Sequence, residues 1–210
     1  MAKLTSGIFG PISGKVGGLV GASWKNISYI RAKPQKTTKP PTEAQIANRG
    51  KFRFLQELLV PFYPYLTIGF KNMARGKTEI NVAFSENSTQ SIMGTYPNLS
   101  VDYARFRLSR GTLPPLISVQ ATLAGADLMK VTWLPNSMGT FDDQVMLVMY
   151  SPELKIADGF VGGVKRRDRE CTFRFNPKLI GKPLEVYMSV IALNGARVSN
   201  SEYLGRINPL

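Results

Sequence analysis

No histidine occurs among these 210 residues, and cysteine occurs once, at Cys171. The first absence removes Ser-His and Cys-His nucleophile systems, His-Glu zinc peptidases and most transition-metal sites. The second rules out an intramolecular disulfide and a zinc site built from the cysteines of one chain. Cys171 opens an apparent strand with Thr172, Phe173 and Phe175, the setting of a buried structural thiol rather than a nucleophile. Acidic residues are few, 14 against 27 Lys and Arg, and they are scattered. Asp142 and Asp143 are neighbours, but in a strand neighbours point to opposite faces, and beside Gly139 they read as loop residues. No carboxylate pair suited to acid-base work emerges. The expectation is a protein that is not an enzyme, with no catalytic, cofactor or metal site.

A long apolar run is also missing. Without 18 successive apolar residues, no membrane span is expected. Near the N-terminus, Gly7, Gly10, Pro11, Gly14, Lys15, Gly17 and Gly18 break up any signal-peptide core, so cytoplasmic synthesis is expected. The segment from Gly10 to Lys15 invites comparison with a P-loop, but only three residues separate Gly10 and Gly14, and Val16 follows the lysine where a hydroxyl residue is required. A Gly-x-Gly-x-x-Gly fingerprint is absent too.

What is present is charge, unevenly placed. The first 53 residues hold ten basic side chains and one acidic one, Glu43, so +9 of the chain's +13 lies there. Residues 1–41 read as a basic Gly/Pro-rich arm: six glycines from Gly7 to Gly21, then the linker-like AKPQKTTKPP of residues 32–41. Its cations, Lys3, Lys15, Lys25, Arg31, Lys33, Lys36 and Lys39, are the candidate nucleic-acid-binding residues, because a basic arm on a near-neutral body commonly meets a polyanion. Trp24 and Tyr29 are the candidate stacking aromatics. Ser23–Arg31 alternates and reads as one short strand or anchor. Gly10, Gly14 and Gly18 recur every four residues, consistent with close packing on neighbouring protein.

Residues 42–112 read as a helical segment with a short strand. Thr42-Glu43-Ala44-Gln45 has capping-box form, and Ile46, Ala47, Phe54, Leu55, Leu58 and Leu59 keep helical spacing up to Pro61. Gln45, Arg49 and Arg53 form a polar stripe on that helix, read as a solvated face. Further helix is expected over residues 65–73 and 78–93, then a turn at Tyr96-Pro97-Asn98 and a strand over 105–109. From residue 113 the pattern changes to seven alternating runs separated by turn signals: 117–123, 129–133, 144–150, 156–161, 171–175, 185–192 and 197–204. Spacing of about ten residues is the signature of a β-sandwich. Lys165-Arg166-Arg167 with Arg169 reads as a solvated hairpin tip, with a phosphate contact as the alternative.

Val131-Thr132-Trp133-Leu134-Pro135 resembles the strand of fibronectin type III-like domains in which a Trp plugs the core. Tyr187 to Gly195 (YMSVIALNG) resembles a late strand of the same group. The resemblance covers 114–207 and implies fold, not function. The whole chain resembles a domain-of-unknown-function family of Bacteroidetes through Gly10 to Gly18 (GPISGKVGG), Ser23-Trp24-Lys25, Tyr29-Ile30-Arg31 and Pro40-Pro41-Thr42. Asp143 to Leu147 and Ser201 to Gly205 are similar too. That resemblance carries no activity. The expected fold is mainly β: an immunoglobulin/fibronectin III-like sandwich at 113–210, preceded by the helical segment and the arm. The expected role is a structural subunit of a multi-copy assembly, a phage or prophage virion protein whose arm contacts nucleic acid or neighbouring subunits. The alternatives are a free nucleic-acid-binding protein and a surface or adhesion module.

Overall fold

The computed structural model describes residues 3–4, 7, 10–35, 38–134 and 139–208. Lys36 and Pro135 lie outside the described residues. Two units are distinguished, Met1–Glu43 and Ala44–Leu210.

The first unit differs from the expected arm, since it carries a four-stranded antiparallel sheet. Strands β1 (Lys3–Leu4), β2 (Ile12–Val16), β3 (Leu19–Trp24) and β4 (Ile27–Ala32) follow one another in sheet order. Turn chemistry explains it. Gly17-Gly18 has positive φ at its first residue only, the type II′ pattern, and Lys25-Asn26 has positive φ at both, the type I′ pattern. These are the turns whose twist suits a two-residue hairpin. Ser23–Arg31 is therefore two strands folded back at Lys25-Asn26, not one. Gly21 has a packing role: a Cβ there would fall 2.0 Å from the Ile12 carbonyl oxygen.

The second unit begins with α1 (Glu43–Leu59), which buries Leu55, Leu58 and Leu59. A 3-10 turn through Pro61 leads into α2 (Tyr63–Gly69). Helix α3 (Glu79–Gln90) starts at Thr78, whose hydroxyl accepts from the Asn81 amide at 3.2 Å. It ends earlier than its pattern predicts, because Gly94 at φ 82° belongs to a hairpin of β5 (Ile92–Thr95) and β6 (Asn98–Val101) turning at Tyr96-Pro97.

Residues 105–109 are not a strand. Their alternation is real, with Phe106 and Leu108 buried, but side chains rather than a ladder hold the backbone. Arg107 N donates to Asn87 Oδ1 at 2.8 Å and Asn87 Nδ2 donates back to Arg107 O at 3.0 Å. Leu108 N donates to Ser201 Oγ at 3.0 Å. An alternating run needs only a buried side and satisfied amides, and here Asn87 and Ser201 satisfy them.

Seven strands then build a β-sandwich of fibronectin III-like fold. They are β7 (Ile117–Gly125), β8 (Leu128–Leu134), β9 (Gln144–Ser151), β10 (Ile156–Lys165), β11 (Glu170–Arg174), β12 (Leu184–Ile191) and β13 (Glu202–Ile207). One sheet has the order β11-β8-β7 and the other β10-β9-β12-β13. Period-2 geometry sends alternate residues to opposite faces. Val145, Leu147 and Met149 of β9 join Val186, Met188 and Val190 of β12 in the core against Met129, Val131 and Trp133 of β8. The intervening Met146, Val148, Tyr150 and Tyr187 face a second core with Leu55, Leu59, Phe62, Leu66 and Phe70 of the helical segment. The β10-β9-β12-β13 sheet is thus the middle of three layers of the second unit, and packing does not divide at residue 113.

Candidate functional site

Register sorts the N-terminal sheet into two faces. Directly opposed residues of an antiparallel pair share a face. Lys15 opposes Val20, which opposes Arg31, while Ala22 opposes Tyr29 and Trp24 opposes Ile27. One face therefore carries Lys15, Arg31, Trp24, Ile27 and Tyr29. The other carries Gly14, Val16, Leu19, Gly21, Ile30 and Ala32, together with Ser23 and Ser28. It holds no charged side chain across β2–β4. Both faces carry exposed apolar side chains: Trp24 is 50% exposed, Leu19 51%, Val16 53% and Ile30 55%. Among the described residues of this unit only Gly21 is buried.

Of the seven cations singled out from the sequence, the sheet brings three onto one face, Lys3, Lys15 and Arg31. Lys15 and Arg31 flank Val20 on one face, two strand spacings or about 10 Å apart. Lys25 sits at the tip of the β3–β4 hairpin beside the Trp24–Ile27 pair. Lys3 on β1 opposes Ser13 of β2 and so shares the face of Lys15. Lys33 follows β4, its amide donating to Gly18 O at 2.7 Å, and Lys39 lies beyond it in exposed chain. Trp24 and Tyr29 are on the face of Lys15 and Arg31, the juxtaposition of cations and stacking rings that single-strand binders use.

The second basic cluster is a correction to the sequence reading. Arg166 is not at a solvated tip; its side chain is 2% exposed, as is that of Asp143, with Nε 3.4 Å from Asp143 Oδ2. Its Nη1 donates to Pro115 O at 3.1 Å and its Nη2 to Pro114 O. Asp143 Oδ2 accepts from Thr140 N at 3.0 Å, and Trp133 Nε1 donates to Arg166 O at 2.8 Å. Gly139 lies so close that a Cβ there would fall 2.6 Å from the guanidinium carbon. Burial draws the Arg166 pKa down and Asp143 opposes it. Asp142 points outward to Lys165 and Arg167, and hydrogen bonding from Lys165, then the two positive charges, holds its carboxyl below the usual range. These residues lock one end of the sandwich. Cys171 is buried, and burial pushes its thiol up to about 11, away from the thiolate that nucleophilic chemistry requires. Among the described residues no group of three His, Cys, Asp or Glu is placed to hold a metal, and no helix is long and apolar enough to cross a membrane.

Sequence reading missed Tyr96, a half-exposed ring on the β5–β6 hairpin beside α1. The Tyr-Pro-Asn turn was legible, but not what the turn would lie against.

A family model described as a family of unknown function, DUF6266, matches residues 11–205. No curated protein matches the chain. Among solved structures, the fibronectin III domain of human collagen alpha-1(XX) chain is similar over 46% of this chain and 85% of that one, at 15% identity and a TM-score of 0.36.

Proposed function

The chain belongs to the DUF6266 family, and from that premise we propose that it is a non-enzymatic structural subunit of a multi-copy assembly, joined through its N-terminal sheet. The observation that carries this reading is the charge-free apolar face of Val16, Leu19 and Ile30, each more than half exposed. A sheet face of this composition gains free energy by being covered, at roughly 25 cal/mol per Å² of apolar surface. The occupant is a second copy. The chain carries +13, so two copies repel wherever their cations meet. The apolar face lets them join without opposing charges, because Lys15 and Arg31 lie on the other side. Among the described residues strand β4 pairs on one side only, so its other edge is a further place for strand addition. The opposite face then remains open to a polyanion, with Lys15 and Arg31 available for phosphates. A phage or prophage particle is a setting that asks for both properties.

Sedimentation velocity tests this. The full chain should form oligomers at micromolar concentration without nucleic acid, and Leu19→Asp with Ile30→Asp should leave it monomeric with an unchanged melt. Oligomers of the double variant equal to those of the parent would end the reading. The co-facial Lys15, Arg31 and Tyr29 favour a second reading, a free nucleic-acid-binding protein. A parent chain that stays monomeric alone and binds DNA with a salt dependence lost in Lys15→Ala/Arg31→Ala would establish that instead.

A further inference from the structure

We propose that a groove on α1, in the second unit, binds single-stranded nucleic acid, independently of the N-terminal sheet. Arg49 and Arg53 are four residues apart and so neighbours on one helix face. With the ring of Tyr96 they line a cavity of about 430 Å³, which Ile46 and Phe54 help to line. That volume lies within the roughly 300–1,000 Å³ of small-molecule pockets, room enough for one nucleotide unit. Tyr96 is brought close by Gly50, where a Cβ would fall 2.2 Å from Tyr96 Cε2. Any other residue at position 50 would force the Tyr96 ring to move. Tyr96 nevertheless stays 46% exposed, a ring supported on one side and open on another.

The charges are free to bind. Arg49 has no hydrogen-bond or ion-pair partner among the described residues. Arg53 Nε meets Glu57 Oε1 at 3.3 Å, but these side chains are 84% and 56% exposed, and an ion pair so hydrated is weak and readily exchanged for a phosphate. Past Phe54 and Glu57, which line both, a second cavity of about 160 Å³ adds Tyr103 and Lys155. The aromatic-plus-cation pairing thus repeats, as a strand of successive nucleotides would require. The ring decides the ligand class. Duplex DNA offers phosphates but keeps its bases stacked, and an acidic peptide uses the cations but not the ring. Only unpaired bases use both.

The test is fluorescence anisotropy with labelled oligothymidylate, on the full chain carrying Lys15→Ala and Arg31→Ala so that the N-terminal face is silenced. Tyr96→Ala and Arg49→Ala should each weaken binding about tenfold, Tyr96→Phe should keep the parent affinity, and Lys178→Ala, far along the chain on an exposed turn, should change nothing. Arg49 is exposed, so its variant folds, and an unchanged melt shows it. The proposal is overturned if the Lys15→Ala/Arg31→Ala chain does not bind oligothymidylate, if Arg49→Ala or Tyr96→Ala binds as that chain does, or if duplex of equal length or polyglutamate competes as well as oligothymidylate.

Discussion

Strand β12 buries all eight of its residues, whereas β4 exposes all six. Both are rich in β-branched and aromatic residues: LEVYMSVI in one, ISYIRA in the other. The difference is coverage. Each face of β12 meets a partner, the three-stranded sheet on one side and the helical segment on the other. The strands of the N-terminal sheet have hydrogen-bonded neighbours, but among the described residues of their own unit only Gly21 is buried. A ladder without a buried face is marginal in water, so the body is held by its own cores and the N-terminal sheet asks for something to complete it.

The sharpest way to break the body's side of this comparison is at its buried charge. Arg166→Met should cost about 3–5 kcal/mol, because it strands Asp143 without a counter-charge, and replacing Asp143 by Leu as well should recover much of the loss. Trp133→Ala should cost a similar amount, about 3–5 kcal/mol, in transfer and cavity terms. Chemical denaturation measures both. A smaller effect depends on pH. The Cys171 thiol ionises near pH 8.5 in an unfolded chain and at about 11 in the folded one. Below the first value both states hold the proton, and between the two only the folded state does. Stability contributed by this group is therefore present below about pH 8.5 and lost as pH rises toward 11. Melting temperature followed across that window should fall less in Cys171→Ala than in the parent. Smallest of all, deleting residues 2–41 should shift the body's melt by no more than about 0.5 kcal/mol, the scale of changes away from a core.

The same contrast decides what was legible. Six sandwich strands were readable because each is bounded by turn residues such as Asn194-Gly195; the seventh, expected at 197–204, instead runs Glu202–Ile207, with only isolated bridges at Val198 and Ser199 before it. The burial of β9 on both faces matches its near-continuous apolar run. The lost strand at 105–109 shows the limit, since alternation reports which side chains are buried but not what satisfies the amides. Arg166 shows another: Lys165-Arg166-Arg167 looks uniform, yet only the middle cation finds Asp143, a partner 23 positions away. In the N-terminal unit the basic residues were plain, but glycines read as flexibility turned out to be turn and close-approach positions. Lys25 at positive φ gave no signal of a hairpin, because lysine does not favour that conformation. The groove on α1 was split between a stripe read as solvated and a turn, two features that only the tertiary structure sets side by side.

The central claim is that the N-terminal sheet is completed by another copy while the body is complete alone. Hydrogen exchange of the amides in Leu19–Ala32, measured across a dilution series of the full chain, tests it most directly. Protection of this segment should rise with protein concentration and vanish in Leu19→Asp/Ile30→Asp, while β9 and β12 stay protected throughout. Equal protection of Leu19–Ala32 at every concentration, in the parent and the double variant alike, would contradict the account.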